Sequence, residues 1–236
     1  MPAEARVLTG NRILDALPSE EIARLRIHLE PATLALRQVV ARPDEAIDFV
    51  YFPVKGALSV MTLLRDGSSV EVGTIGSEGL LGLSALLGDG ISIHEVIVQG
   101  AGEALRGPAR AIRHEFDRSP PFRDAVAKLS QLVLAEASQN AACNGRHSLA
   151  QRCARWLLRM HDAVGTDHFP LSQEFLATML GVQRTGVTAA ALELRRKNLI
   201  DYQRGKVAIL NGKGLEAAAC ECYGIMKHLR DRFLRD

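Results

Sequence analysis

The spacing of apolar residues changes along the chain, and the changes mark out regions of different structure. In residues 11–30 (NRILDALPSEEIARLRIHLE), Ile22, Leu25 and Leu29 recur at helical spacing. They follow a Pro18-Ser19 start with Glu20 and Glu21 in the first turn, which predicts short helices. From Leu34 to Arg106 the rhythm is that of strands. β-rich runs at 47–52, 57–64, 69–75 and 93–99 are separated by Pro53, Asp66-Gly67 and a scatter of glycines from Gly73 to Gly90. Many short strands with glycine punctuation predict an antiparallel roll, and RDGSSVEVG predicts a hairpin turning at Asp66-Gly67.

Beyond Pro108 the pattern is helical again. Phe122, Val126, Leu129 and Val133 recur at spacings of four and three, in register with Glu136, Asn140 and Cys143. That is the seam of a coiled coil. A helix packed on its own domain has the same period, but a place between two domains favours a dimer interface. Residues 148–164 form another amphipathic helix. Leu149, Cys153, Trp156, Leu157 and Met160 face inward, Arg146, Arg152, Arg155 and Arg159 lie on the other faces, and Gly165 opens the loop that ends it.

The stretch 171–200, LSQEFLATMLGVQRTGVTAAALELRRKNLI, is the most specific. Ser172 is an N-cap with Glu174 in the turn behind it, and Leu176, Met179 and Leu180 make an apolar stripe. Gly181 supplies the left-handed backbone that stops a helix. A second helix from about Gln183 to Lys197 buries Val187, Ala190, Ala191 and Leu194, and small Ala177 lets the two axes approach. Such a pair is a helix-turn-helix. An ordinary helical hairpin leaves unexplained why the second helix opens with Gln183, Arg184, Thr185 and Thr188. These side chains are suited to base edges in a major groove. DYQRGKVAIL follows as a hairpin whose tip carries Arg204, Gly205 and Lys206, a cationic wing placed for phosphate contact. The run Arg195-Arg196-Lys197 reads as a solvated helix end.

Charge sharpens this division. The net charge of the 236 residues is only +2. From residue 144 onward, however, there are 15 Lys and Arg against 9 Asp and Glu, and before it 14 against 18. The basic half is therefore the one suited to an anionic partner. Apolar residues (47%) and charged residues (24%) are ordinary for a folded chain, while aromatics at 5% leave the cores to aliphatic side chains. No apolar run is long enough for a membrane span, and the N-terminus mixes charges where a secretion signal would be unbroken. A cytoplasmic location is expected.

Catalytic chemistry is not visible. There is no nucleophile–base–orienter set, phosphate loop or HExxH motif, and His114, Glu115 and Asp117 read as a charged helix surface, so no enzyme is expected. Cys143, Cys153, Cys220 and Cys222 form no CxxC pair and read as reduced thiols. Cys143 and His147, four apart on a helix, have a spacing that can hold a metal. The set needs two more ligands that the local sequence does not supply, and Cys220 with Cys222 could instead be redox-active. No metal or cofactor is expected.

Taken together, these features resemble the Crp/Fnr family of transcription regulators over nearly the whole chain, most strongly at 148–210. The resemblance implies an α+β fold. An antiparallel, jelly-roll-like β-roll sensor would occupy residues 1–117, a long dimerisation helix 118–146 and a winged helix-turn-helix 147–236. It implies a homodimer on a palindromic operator in double-stranded DNA. Arg184 would be the principal base reader, flanked by Gln183 and Thr185, with Ser172 and Gln173 at phosphates. Phe122, Val126, Leu129 and Val133 would form the dimer interface. RNA polymerase and an unidentified small-molecule effector are the further partners implied. Thr185, Gly186 and Ala189 stand where family members carry glutamate, threonine and arginine, so the operator is the chain's own. For the effector, Gly76 and Glu78 resemble the opening of the family's glycine-rich cassette, with His94 nearby. Ile93, His94 and Glu95 occupy the place of the phosphate-binding arginine and hydroxyl, which argues against a cyclic nucleotide. No N-terminal cysteine cluster exists for iron–sulfur sensing, and neither His28 nor His94 makes a haem site by itself. The rival reading is a ligand-sensing or protein-docking module without specific DNA binding.

Overall fold

The computed structural model describes residues 9–233. The start of the N-terminal stretch, read above for a secretion signal, lies outside them. Helices α1 (Arg12–Asp15) and α2 (Ser19–Arg26) come first, as the pattern predicts. Asn11 caps α1, its side chain accepting from the N–H groups of Ile13 and Leu14. Its amide donates to the carbonyls of Pro53 and Gly79, both at 2.9 Å, so this buried cap also pins α1 to the sheet.

Strands β1 (Glu30–Leu34), β2 (Val39–Ala41), β3 (Phe49–Leu63), β4 (Ser69–Ile75) and β5 (Glu95–Pro108) form one antiparallel sheet. Its order is β1-β5-β3-β4, with β2 beside β5. The hairpin at Asp66-Gly67 joins β3 to β4. Two expected runs, 47–52 and 57–64, are one fifteen-residue strand. Pro53 and Gly56 bulge β3 rather than ending it, and the register shifts at Pro53/Lys55 and Lys55/Ala57. Gly56 takes φ +96°, and a Cβ there would meet the Gly100 carbonyl oxygen at 2.5 Å. The run at 93–99 proves to be the first part of β5, while β1 and β2 carry too few residues for a clear alternation.

Helix α3 (Leu83–Leu87) lies within the glycine-rich cassette, and α4 (Ala109–Arg118) leads to α5 (Pro120–Arg146). Ser119 caps α5 by accepting from the Phe122 N–H, with Pro120 and Pro121 in the first turn. Then come α6 (Leu149–Val164), β6 (His168–Pro170), α7 (Gln173–Leu180), α8 (Arg184–Arg196), β7 (Ile200–Gln203), β8 (Lys206–Ile209), α9 (Gly212–Ala218) and α10 (Cys222–Phe233). A capping box at Ser148 and Gln151 starts α6.

The expected seam on α5 is corrected by its packing. Phe122, Val126 and Leu129 are buried in the sensor's own core together with Phe52 and Phe116. The Phe116 and Phe122 rings meet edge to face at 5.7 Å. These three residues have almost no surface left for a second chain, and of the four only Val133, 43% exposed, keeps some. The exposed face of α5 lies to one side and carries Ala127, Gln131, Leu134, Ser138, Ala141 and Gly145, also at spacings of four and three. A heptad period says that one stripe is covered, and here the covering surface is the β-roll.

A second core joins the two halves of the molecule. Ala57 and Met61 of β3 pack with Trp156, Leu157 and Met160 of α6 and with the apolar faces of α7 and α8. The Arg159 position also departs from the expected outward face, because it is buried against the sheet.

Candidate nucleic-acid interface

Helices α7 and α8 meet across Gly181, which takes φ +62° and caps α7 through the carbonyls of Ala177 and Thr178. A Cβ at Gly181 would also come within 2.9 Å of Val70 on β4, so the turn is tight on both counts. Ser172 caps α7 by accepting from the Phe175 N–H at 3.1 Å. The apolar stripe Leu176, Met179, Leu180, Val187, Ala190 and Leu194 is spent in the shared core. That burial leaves the polar start of α8 facing outward, with Gln183, Arg184 and Thr185 all exposed.

Two predicted contact residues are bonded to each other. The Thr188 hydroxyl lies 2.8 Å from Gln173 Oε1 and 3.0 Å from the Arg184 carbonyl. This fixes the start of α7 against the first turn of α8, so Gln173 and Thr188 set the approach of the pair. Arg184 is 67% exposed and 3.9 Å from the Glu174 carboxylate, a solvated pair that holds it weakly.

The wing is a three-stranded sheet ordered β6-β8-β7. Arg204 and Gly205 form its tip with φ +48° and +74°, the two left-handed residues of a tight hairpin turn. Lys206 opens β8, and both cations are exposed. The Gly205 carbonyl accepts from the Leu171 N–H at 2.8 Å, fastening the wing beside the cap of α7. By contrast, Arg195 pairs with Asp201 and Lys197 with Glu193 on the far end of α8.

The family models for a cyclic nucleotide-binding domain and a Crp-like helix-turn-helix domain match residues 32–119 and 151–218 respectively. The chain belongs to the Crp/Fnr family of DNA-binding transcription regulators. No curated protein sequence matches it significantly. Several solved structures share its fold at low identity. A transcriptional regulator of the Crp/Fnr family from Eubacterium rectale is 17% identical with TM-score 0.70, over 89% of this chain and 99% of that one. FixK2 from Bradyrhizobium japonicum is 16% identical with TM-score 0.67, over 81% and 98%. The c-di-GMP responsive regulator CLP of Xanthomonas campestris is 16% identical with TM-score 0.66, over 81% and 99%. Among the described residues no helix is long and apolar enough to cross a membrane.

In this Crp/Fnr regulator the sensor cassette is used differently from the family pattern. Gly76 donates its N–H to Glu78 Oε1 at 3.0 Å, and Glu78 forms a buried ion pair with Arg159 of α6. Burial alone would push the Glu78 carboxyl up. The charge of Arg159, its strongest opposing partner, holds it below the ordinary glutamate value. The carboxylate expected at an effector therefore joins the sensor to the DNA-binding half. His94 lies on the cavity wall with Nδ1 3.4 Å from the Thr62 hydroxyl.

That cavity, about 460 Å³, lies between the cassette, β4 and α5. Its walls are mainly apolar, including Val60, Val72, Leu80, Leu132 and Val133. Among the described residues lining it there is no lysine or arginine. Glu78 and Glu136 on its wall are held by Arg159 and Arg230. Among the described residues lining this cavity, His94 is the one basic side chain.

The polar residues between the halves escaped the sequence reading. Glu71 of β4 accepts from the Trp156 indole at 2.9 Å and from the Ser59 hydroxyl. Arg159 also donates to the Thr74 carbonyl at 3.1 Å, and Arg230 of α10 pairs with Glu136 of α5 at 2.9 Å. The arginine repeat on α6 was the available signal, but period alone did not reveal that an acidic sheet edge covers it.

Proposed function

We propose that this regulator binds a palindromic operator as a homodimer, reading bases with Gln183, Arg184 and Thr185 and gripping phosphates with Arg204 and Lys206. One observation carries the reading. The polar first turn of α8 and the cationic wing tip are exposed, while every apolar residue of the helix pair's stripe is buried. Ser172 and Gln173 belong to the same reading as the phosphate-side start of α7. Such a surface suits binding and not catalysis.

For the dimer, the exposed α5 face Ala127–Gln131–Leu134–Ser138–Ala141–Gly145 supports a parallel helix pair, with Leu134, 68% exposed, as its largest apolar side chain. Its small residues allow close approach. Two recognition helices would then enter successive major grooves about 34 Å apart. The sensor, dimer helix and DNA-binding parts are read as 1–117, 118–146 and 147–236. The effector is a small, mainly apolar molecule held between the β-roll and α5, which suits the cavity better than a nucleotide. The chain works in the cytoplasm, with RNA polymerase as the partner at promoters.

Selection of bound sites from a random DNA pool tests this. The expected product is a two-fold symmetric site with half-sites one helical turn apart. Recovery of asymmetric sequence, or of none above background, would favour a docking module without specific DNA binding.

A further inference from the structure

The four side chains Cys143, His147, Cys220 and Cys222 come together where α5 ends and α10 begins. Cys143 is in the last turn of α5, His147 is its C-cap, Cys220 lies in the loop between α9 and α10, and Cys222 opens α10. Their ligand atoms all lie within 4.8 Å of one another. Cys143 and Cys220 are 77 residues apart in sequence, and their sulfurs are 3.5 Å apart. Cys222 Sγ is 3.6 Å from His147 Nδ1. The three cysteines are buried and form a small core of their own, separate from the aliphatic cores.

We propose that Cys143, His147, Cys220 and Cys222 form a tetrahedral Zn²⁺ site that clasps the end of the dimer helix to the C-terminal helix of the DNA-binding half. Tetrahedral Zn²⁺ with Zn–S of about 2.3 Å and Zn–N of about 2.05 Å sets S···S edges of about 3.8 Å and N···S edges of about 3.6 Å. The two separations in the structure, 3.5 and 3.6 Å, are close to those edges. Burial of small apolar thiols explains three cysteines in contact, but it does not explain how the histidine is oriented. His147 Nε2 faces the Glu221 carboxylate at 3.1 Å. With Nε2–H donating there, the lone pair of Nδ1 points to the sulfurs, the carboxylate–histidine–metal arrangement that fixes tautomer and ring angle. The Gln139 amide donates to Cys222 Sγ at 3.0 Å, as suits a thiolate. Arg152 and Arg155 lie within electrostatic reach of Cys143 and offset the negative charge of a three-thiolate site.

The site spans two segments that the chain itself does not join. Cys143 and His147 belong to the helix proposed for dimer contact, while Cys220 and Cys222 belong to the end of the winged domain. Arg152 donates to the Leu180 carbonyl at the end of α7, so the clasp lies one side chain away from the helix-turn-helix. Bound metal would hold α10, and with it the winged domain, at one angle to α5.

The test uses the reduced full-length protein, stripped with chelator and titrated with Co²⁺ and then Zn²⁺. One equivalent of Co²⁺ per chain should give the visible absorption of a tetrahedral cobalt thiolate, and Zn²⁺ should bleach it. Cys143→Ser and Cys222→Ser should lose the signal, while Cys153→Ser, a buried thiol outside the cluster, should keep it. Glu221→Gln changes an exposed residue and leaves the core intact. It should weaken metal affinity by about 10–100-fold while keeping the tetrahedral spectrum. Absence of a cobalt–thiolate spectrum in the wild-type protein overturns the proposal. So does equal loss in Cys153→Ser, or isolation of the chain with a Cys143–Cys220 disulfide and no metal affinity after reduction.

Discussion

Replacing Arg159 with Met probes the joint between sensor and DNA-binding half. The Arg159 side chain is 10% exposed and that of its partner Glu78 is 12% exposed, so water cannot take over the role of either. Removing the guanidinium strands a buried carboxylate, which costs about 3–5 kcal/mol. Losing the donor to the Thr74 carbonyl contributes about 1 kcal/mol of that change. Against a typical stability of about 5–15 kcal/mol the effect is large. The double variant Arg159→Met/Glu78→Gln removes both charges and should recover about 2–4 kcal/mol of the single variant's loss. Urea unfolding of the wild type, Arg159→Met, Glu78→Gln and the double variant, followed by far-UV circular dichroism and by fluorescence of Trp156, the only tryptophan, gives all four corners of the cycle. Because the folded Glu78 carboxyl lies below its ordinary value, its contribution is fully present above the unfolded pKa. It is lost as pH falls through the depressed one. If Arg159→Met costs under about 1 kcal/mol, or the double variant is no more stable than the single one, the pair is not a buried couple and the reasoning fails.

Glu71 titrates in the opposite sense. Burial raises its carboxyl above the ordinary value despite the Ser59, Trp156 and Thr74 hydrogen bonds. Its contribution is therefore complete below the unfolded pKa and fades as pH rises through the raised one. Trp156 fluorescence should report that transition, and Glu71→Gln should abolish it; an unchanged titration in the variant would assign it elsewhere. Leu134→Asp should weaken self-association seen by sedimentation while leaving the fold intact. Leu129→Asp should unfold the sensor instead, seen as lost far-UV signal, because that side chain is 4% exposed. Arg184→Ala should cost about 1–3 kcal/mol on the selected operator and far less on random DNA. Lys206→Ala should weaken both and lower the salt slope by about 1; a slope unchanged in filter binding would remove the wing from the interface.

Local chemistry was enough to specify the helix pair and its polar outer face, but not β1, β2 or the joining of two runs into β3. The cap at Ser172, the stop at Gly181 and the stripe through Leu194 act over a few residues. A helix pair that buries one face must present the other, so the exposure of Gln183, Arg184 and Thr185 follows from the sequence alone. The choice of neighbour required the tertiary structure. The period of Phe122, Val126 and Leu129 demands a cover but cannot say that the cover is the β-roll. Arg159 is as polar as any surface arginine until the sheet brings Glu78 to it. The strand through Pro53 continues only because β5 tolerates the bulge. Cys143 and His147 gain Cys220 and Cys222 because α10 folds back along α5, a contact across the sequence that no local spacing encodes.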